Sequence, residues 1–159
     1  ADFTSAKIQP SCMVTAVGSG GTYAGLLLGQ ALYKLSLPVI GICVSRNAGF
    51  FERKAAIDTA RWQTRFQSSL NPEPGQLRDD FIGEGYGLAS PEVYRLIAWL
   101  AQLEGIILDP VYTGKAFQGL IQMIQQGDIH GTDVVFLHTG GLFGLFPQMS
   151  QQSLSELLD

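Results

Sequence analysis

Two cysteines, two histidines and no cluster of lysine and arginine narrow the field before any motif is read. Cys12 and Cys43 stand in apolar, strand-like segments, where a pair of buried reduced thiols is the ordinary outcome; a disulfide or a thiol nucleophile is the lesser alternative. No His, Cys, Asp or Glu residues fall at metal-ligand spacing, and no Ser-His-Asp arrangement is visible. The net charge of −4, with basic residues scattered, argues against nucleic acid and anionic membrane as partners. Apolar runs are strand-sized and interrupted, too short to span a bilayer. The opening stretch ADFTSAKIQPS lacks the basic-then-apolar pattern of a secretion signal, so the cytoplasm is the expected compartment. Repeats and low-complexity tracts are absent.

What is present is one domain's length of chain, 159 residues, with 46% hydrophobic and 15% charged residues. That balance supports a packed core and argues against disorder. The run CMVTAVG is continuously apolar and ends at a glycine, as a strand buried on both faces does. TYAGLLLGQALYKL then repeats apolar residues at helical spacing, and PVIGICVS reads as a second buried strand. Strand, helix and strand in this order make a βαβ unit and imply a parallel sheet. Patterning predicts strands over 14–17, 39–44, 105–108 and 134–137, with a further short strand in DDFIGEGYG. Helices are predicted over 22–35, 52–68, 92–104 and 115–126, the last burying Phe117, Leu120, Ile121 and Ile124, and a short helix near the C-terminus. LNPEPGQLR reads as a surface loop. The fold class is α/β, an open and mainly parallel sheet flanked by helices, in a single domain over residues 1–159.

In such sheets ligands bind beyond the carboxyl ends of the strands. Four loops rich in glycine and hydroxyls are expected there: GSGGT (18–22), GEGYG (83–87), DPVYTG (109–114) and HTGG (138–141). GSGGT suits a phosphate. Its glycines let backbone N–H groups approach an anion, the next helix adds its dipole, and Ser19 and Thr22 supply hydroxyls. It is no Walker loop, and it meets the dinucleotide fingerprint only loosely, since position 23 is Tyr. A tight turn without ligand is the other reading.

GSGGTYAG, GYGLASPE, LEGIILDPVYTGKAFQGLI and VVFLHTGG, in this order, resemble the C-terminal half of the D-cysteine desulfhydrase and 1-aminocyclopropane-1-carboxylate deaminase family, over roughly residues 10–148. The resemblance implies a tryptophan-synthase-β-like fold with pyridoxal 5′-phosphate as cofactor. Ser19, Gly20, Gly21 and Thr22 would hold its phosphate. Tyr86 and Tyr112 match two active-site tyrosines that contact substrate or cofactor. Thr113 and Thr139 match positions facing the pyridine ring, where the deaminase branch carries Glu and Leu and the desulfhydrase branch carries hydroxyls. The resemblance therefore favours β-elimination from D-cysteine, giving pyruvate, hydrogen sulfide and ammonia. Ring-opening deamination and sulfite loss from cysteate remain alternatives.

Each residue also has a plainer use. The tyrosines could be half-buried with satisfied hydroxyls, Thr113 could cap the helix that follows, and Thr139 could bond backbone at a strand end. His138 reads as a satisfied core histidine, Asp109 as a turn cap, and Lys115 as a contact for solvent or a carboxylate. The family's Schiff-base lysine lies in its N-terminal half, and Lys7, Lys34, Lys54 and Lys115 all lack that context. The chain is thus expected to be one piece of a two-part or longer enzyme, partnered by an N-terminal-half polypeptide or forming a homo-oligomer. A truncated product or a free-standing phosphate-binding module are the competing explanations.

Overall fold

The computed structural model describes residues 8–148. Its centre is a four-stranded sheet of β1 (Cys12–Val17), β2 (Val39–Cys43), β3 (Gln76–Arg78) and β4 (Val134–Leu137). The strand order is β3-β2-β1-β4 and every neighbouring pair is parallel. Val14 stands opposite Ile40 on one side and Phe136 on the other. β2 is buried at every position, which is why its sequence is apolar without alternation.

Five helices surround the sheet: α1 (Gly21–Tyr33), α2 (Ala48–Phe66), α3 (Pro91–Glu104), α4 (Thr113–Gln126) and α5 (Leu142–Gln148). Their ends follow local chemistry. The Asn47 side chain accepts the Phe50 N–H and starts α2. Pro91 follows Ser90 at the start of α3, and Gly105 ends that helix in the left-handed region. On one sheet face Val14, Ala16, Ile40 and Ile42 meet Ala116, Leu120 and Met123 of α4. On the other, Val17, Val39 and Cys43 meet Tyr23 and Leu27 of α1 and Phe51 of α2. α3 adds a third layer of Val93, Ile97 and Leu100 around Leu108.

Two expectations about strands need correction. Residues 105–108 are not a strand: Gly105 is a helix cap, Ile106 and Ile107 are exposed, and β4 pairs only with β1 among the described residues. Nor does DDFIGEGYG hold one. The strand lies just ahead, at Gln76–Arg78, inside the stretch read as a surface loop. The buried stripe of α4 is also rotated from the expected face, since Ile124 is 46% exposed while Met123 is fully enclosed. The C-terminal helix begins at Leu142, and residues 149–159 lie outside those described.

Both thiols are buried and free. Burial first, and the nearby carboxylates Asp79, Asp80 and Glu52 after it, push Cys43 up to about 12, so it is no nucleophile at neutral pH. Phe51, 1% exposed, is a fully enclosed aromatic side chain of the α1–α2 layer. Phe51→Ala is expected to cost about 3–5 kcal/mol in a urea unfolding series with an unchanged slope.

Candidate functional site

Asp109 is the centre of the loop that enters α4. Its carboxylate is completely buried, and one oxygen, Oδ2, accepts the N–H groups of Val111 and Tyr112 at 2.8 Å each. The other, Oδ1, accepts the Thr113 N–H at 2.9 Å and the Thr113 hydroxyl at 2.7 Å. The Thr113 hydroxyl in turn accepts the Asp109 N–H at 2.9 Å. Four donors on one carboxylate let it stay buried without a cation. Thr113 is the first residue of α4 and its side chain does not cap that helix: its hydroxyl is fully enclosed and committed to Asp109.

This clasp aims Tyr112 across the sheet edge. A Cβ on Gly18 would lie 2.6 Å from the Tyr112 ring, so only glycine there lets the two loops touch. Gly18 is held from the loop after β2 as well, by the Ser45 hydroxyl donating to its carbonyl at 2.9 Å. Tyr112 also bonds the Tyr86 hydroxyl, with the two rings edge to face and centroids 5.9 Å apart. The hydrogen bond with Tyr86 first, and burial second, push Tyr112 up to about 12. Tyr112 therefore keeps its proton at neutral pH.

The last loop closes the circle. Gly141 lies so near Asp109 that a Cβ would come within 2.5 Å of Oδ1. His138 donates from Nε2 to the Ile107 carbonyl at 3.0 Å and accepts the Gly140 N–H at Nδ1. It is satisfied, as expected, but exposed rather than in the core. Thr139 is exposed in the same turn. All four glycine-rich loops thus form one contiguous patch.

At the far side of Tyr112, α1 begins with Gly20 at φ 88 and no side chain capping it. The first N–H groups of a helix have no partner within it, so Gly21 and Thr22 face outward as donors at the positive end of the dipole. Gly21, Ser19 and Thr22 are exposed, and Gly20 is buried against Phe51 of α2. An oxyanion fits this start of α1, with the phenols of Tyr112 and Tyr86 beyond it.

The sequence profile of the pyridoxal-phosphate dependent enzymes matches residues 4–140. The chain belongs to this family. Among its relatives are a putative 1-aminocyclopropane-1-carboxylate deaminase of Pyrococcus abyssi, 44% identical over 84% of this chain, and one of Thermotoga maritima, 40% identical over 86%. A D-cysteine desulfhydrase of Yersinia enterocolitica is 38% identical over 87%. The crystal structure of an ACC deaminase homologue superposes with a TM-score of 0.84 at 34% identity, covering 94% of this chain and 45% of that one. The chain spans less than half the length of the curated relatives it matches, 43% for the T. maritima and Y. enterocolitica proteins. Pyridoxal phosphate is the cofactor of the family, and an uncapped, glycine-lined helix start fits its phosphate.

Lys115 is not a solvent or carboxylate contact: it is 2% exposed and donates to the carbonyls of Ile82 and Gly85 at 2.7 and 2.8 Å. Only its place one turn into α4, on the buried side, could have signalled this. Among the described residues no three His, Cys, Asp or Glu side chains gather as a metal would need. No helix among them is long and apolar enough to cross a membrane.

The Asp109 clasp is open to a stability test. Asp109→Ala leaves three buried N–H groups without an acceptor and is expected to cost about 3 kcal/mol or more, whereas Thr113→Val should cost about 1–2 kcal/mol. Equal costs in denaturant unfolding would contradict the hierarchy.

Proposed function

We propose that this chain supplies the phosphate cradle and two acid–base phenols of a pyridoxal-phosphate dependent β-eliminating enzyme acting on D-cysteine. The observation that carries it is the contact from the α1 cradle through Gly18 and Tyr112 to Tyr86. It brings an uncapped helix start, a protonated phenol and an exposed phenol side by side, which supports an anion site there. When bound, the cofactor supplies an electron sink for the Cα–H bond of an amino acid.

The chain's own groups have the following tasks. The N–H groups of Gly21 and Thr22 and the hydroxyls of Ser19 and Thr22 bind the phosphate. Tyr86, 57% exposed, or Tyr112, which keeps its proton at Oη, orients the amino acid or protonates the departing sulfur. The resemblance assigned both Thr113 and Thr139 to the ring. With Thr113 bound to Asp109, Thr139 is the hydroxyl left to face the ring nitrogen. A hydroxyl there holds no positive charge on the ring, which suits loss of thiolate, a good leaving group. The amine that binds the cofactor aldehyde comes from a lysine on the remaining polypeptide of a longer or two-chain enzyme, with cytoplasmic location and self-association as further parts of this reading.

Ring-opening deamination is the second reading, favoured by the names of the P. abyssi and T. maritima relatives. Assay of the complete enzyme on both substrates separates the two: D-cysteine should be consumed and the cyclopropane amino acid left intact. Thr139→Leu should lower D-cysteine turnover tenfold or more, about 1.4 kcal/mol. It is a cleaner change than Thr113→Glu, which would bury a second carboxylate against Asp109. Joint replacement of Gly20 and Gly21 by Val should abolish uptake of pyridoxal phosphate by blocking backbone approach. Unchanged affinity in that variant rules the cradle out, and opening of the cyclopropane ring without loss of D-cysteine overturns the substrate.

A further inference from the structure

Lys115 is a buried cation with a use that the reaction chemistry leaves open. Its Nζ lies beneath the 83–87 loop and meets the Ile82 and Gly85 carbonyls. No carboxylate pairs with it among the described residues. An ammonium removed from water without a counter-charge is costly, and burial lowers the pKa of Lys115 from its ordinary value. A Leu or Met would fill the same space without that cost.

The loop above it explains what the cation does. Gly83, Gly85 and Gly87 have φ of 68°, 147° and 79°, backbone states that glycine enters at a large loss of chain entropy. The side chains of Glu84, Tyr86 and Leu88 are all exposed, so side-chain packing gives this loop little hold. Two charge-assisted hydrogen bonds from a rigid helix provide it instead. Lys115 sits two residues after Thr113, so the helix start fixed by Asp109 carries both Tyr112 and the ammonium that holds Tyr86's loop.

We propose that Lys115 is a positioning residue. Its ammonium clamps the 82–85 backbone to α4 so that Tyr86 meets Tyr112. The role deepens the proposed function, which alone makes Tyr86 face the substrate, but the clamp itself is testable without cofactor.

The experiment is run on the full chain at neutral pH, because a lysine lowered by burial loses its proton before Tyr112 does. It reads proton contacts between the labelled rings of Tyr86 and Tyr112 together with amide exchange. In the unaltered protein the rings, edge to face with centroids 5.9 Å apart, should show these contacts. In Lys115→Met the ring contacts should be lost, and amide exchange should quicken about tenfold or more at residues 83–87 while β1 and β2 stay unchanged. Lys115→Gln, which keeps two N–H donors, should restore at least part of the contact and is the variant to read if Lys115→Met does not fold. A folded Lys115→Met protein with ring contacts and exchange at 83–87 as before overturns the clamp. So does failure of both variants to fold, which would make Lys115 a core residue. Loss of pyridoxal phosphate uptake with the ring contacts intact would count against the proposed function and leave the clamp standing.

Discussion

The Asp109 carboxylate, closed off from water, takes four hydrogen bonds from the three residues at positions 111–113. An unpaired carboxylate in that position would be intolerable, so the chain around it has one arrangement that satisfies it. That arrangement starts α4, points Tyr112 at Gly18, and leaves room for Gly141 against Oδ1. The patch depends on this buried anion for its geometry, although the anion itself touches nothing outside the protein.

A second constraint works through α4. The helix is held on the sheet by Ala116, Leu120 and Met123, and its first turn bears groups with opposite demands. Thr113 turns inward to Asp109, and Lys115 turns toward the glycine loop. Both are buried polar side chains with partners in backbone or carboxylate, so hydrophobic packing and polar satisfaction specify the same helix position. Tyr112, at the cap, takes its direction from both.

Much of the fold was legible because it is written in apolar content. β1, β2 and β4 are continuous hydrophobic runs ended by glycine, serine or histidine-threonine turns, and no helix period fits them. The segment at 105–108 has the same composition but no place in the described sheet, since strand-like residues need a hydrogen-bonded neighbour as well as a sequence. β3 offers one apolar residue, Leu77, in a stretch dominated by proline and glycine, and only its pairing with β2 reveals it. At the site, the glycine-rich loops announced themselves by glycine spacing and hydroxyl content. The inward turn of Thr113 and Lys115 was hidden, because which side of a helix faces the core depends on where the helix sits. His138 misled in the same way: its strand is apolar, but the strand ends one residue earlier, at Leu137.

The central claim is that the four loops form a single binding surface, and its most direct test is to find where pyridoxal phosphate perturbs the backbone amides. The account requires shifts at 18–22, spreading to 83–87, 109–114 and 138–141. It also requires none in the groove of about 450 Å3 between α1, α2 and residues 71–75. Perturbation confined to that groove, or shifts at 18–22 that never reach Tyr86 and Tyr112, would contradict it.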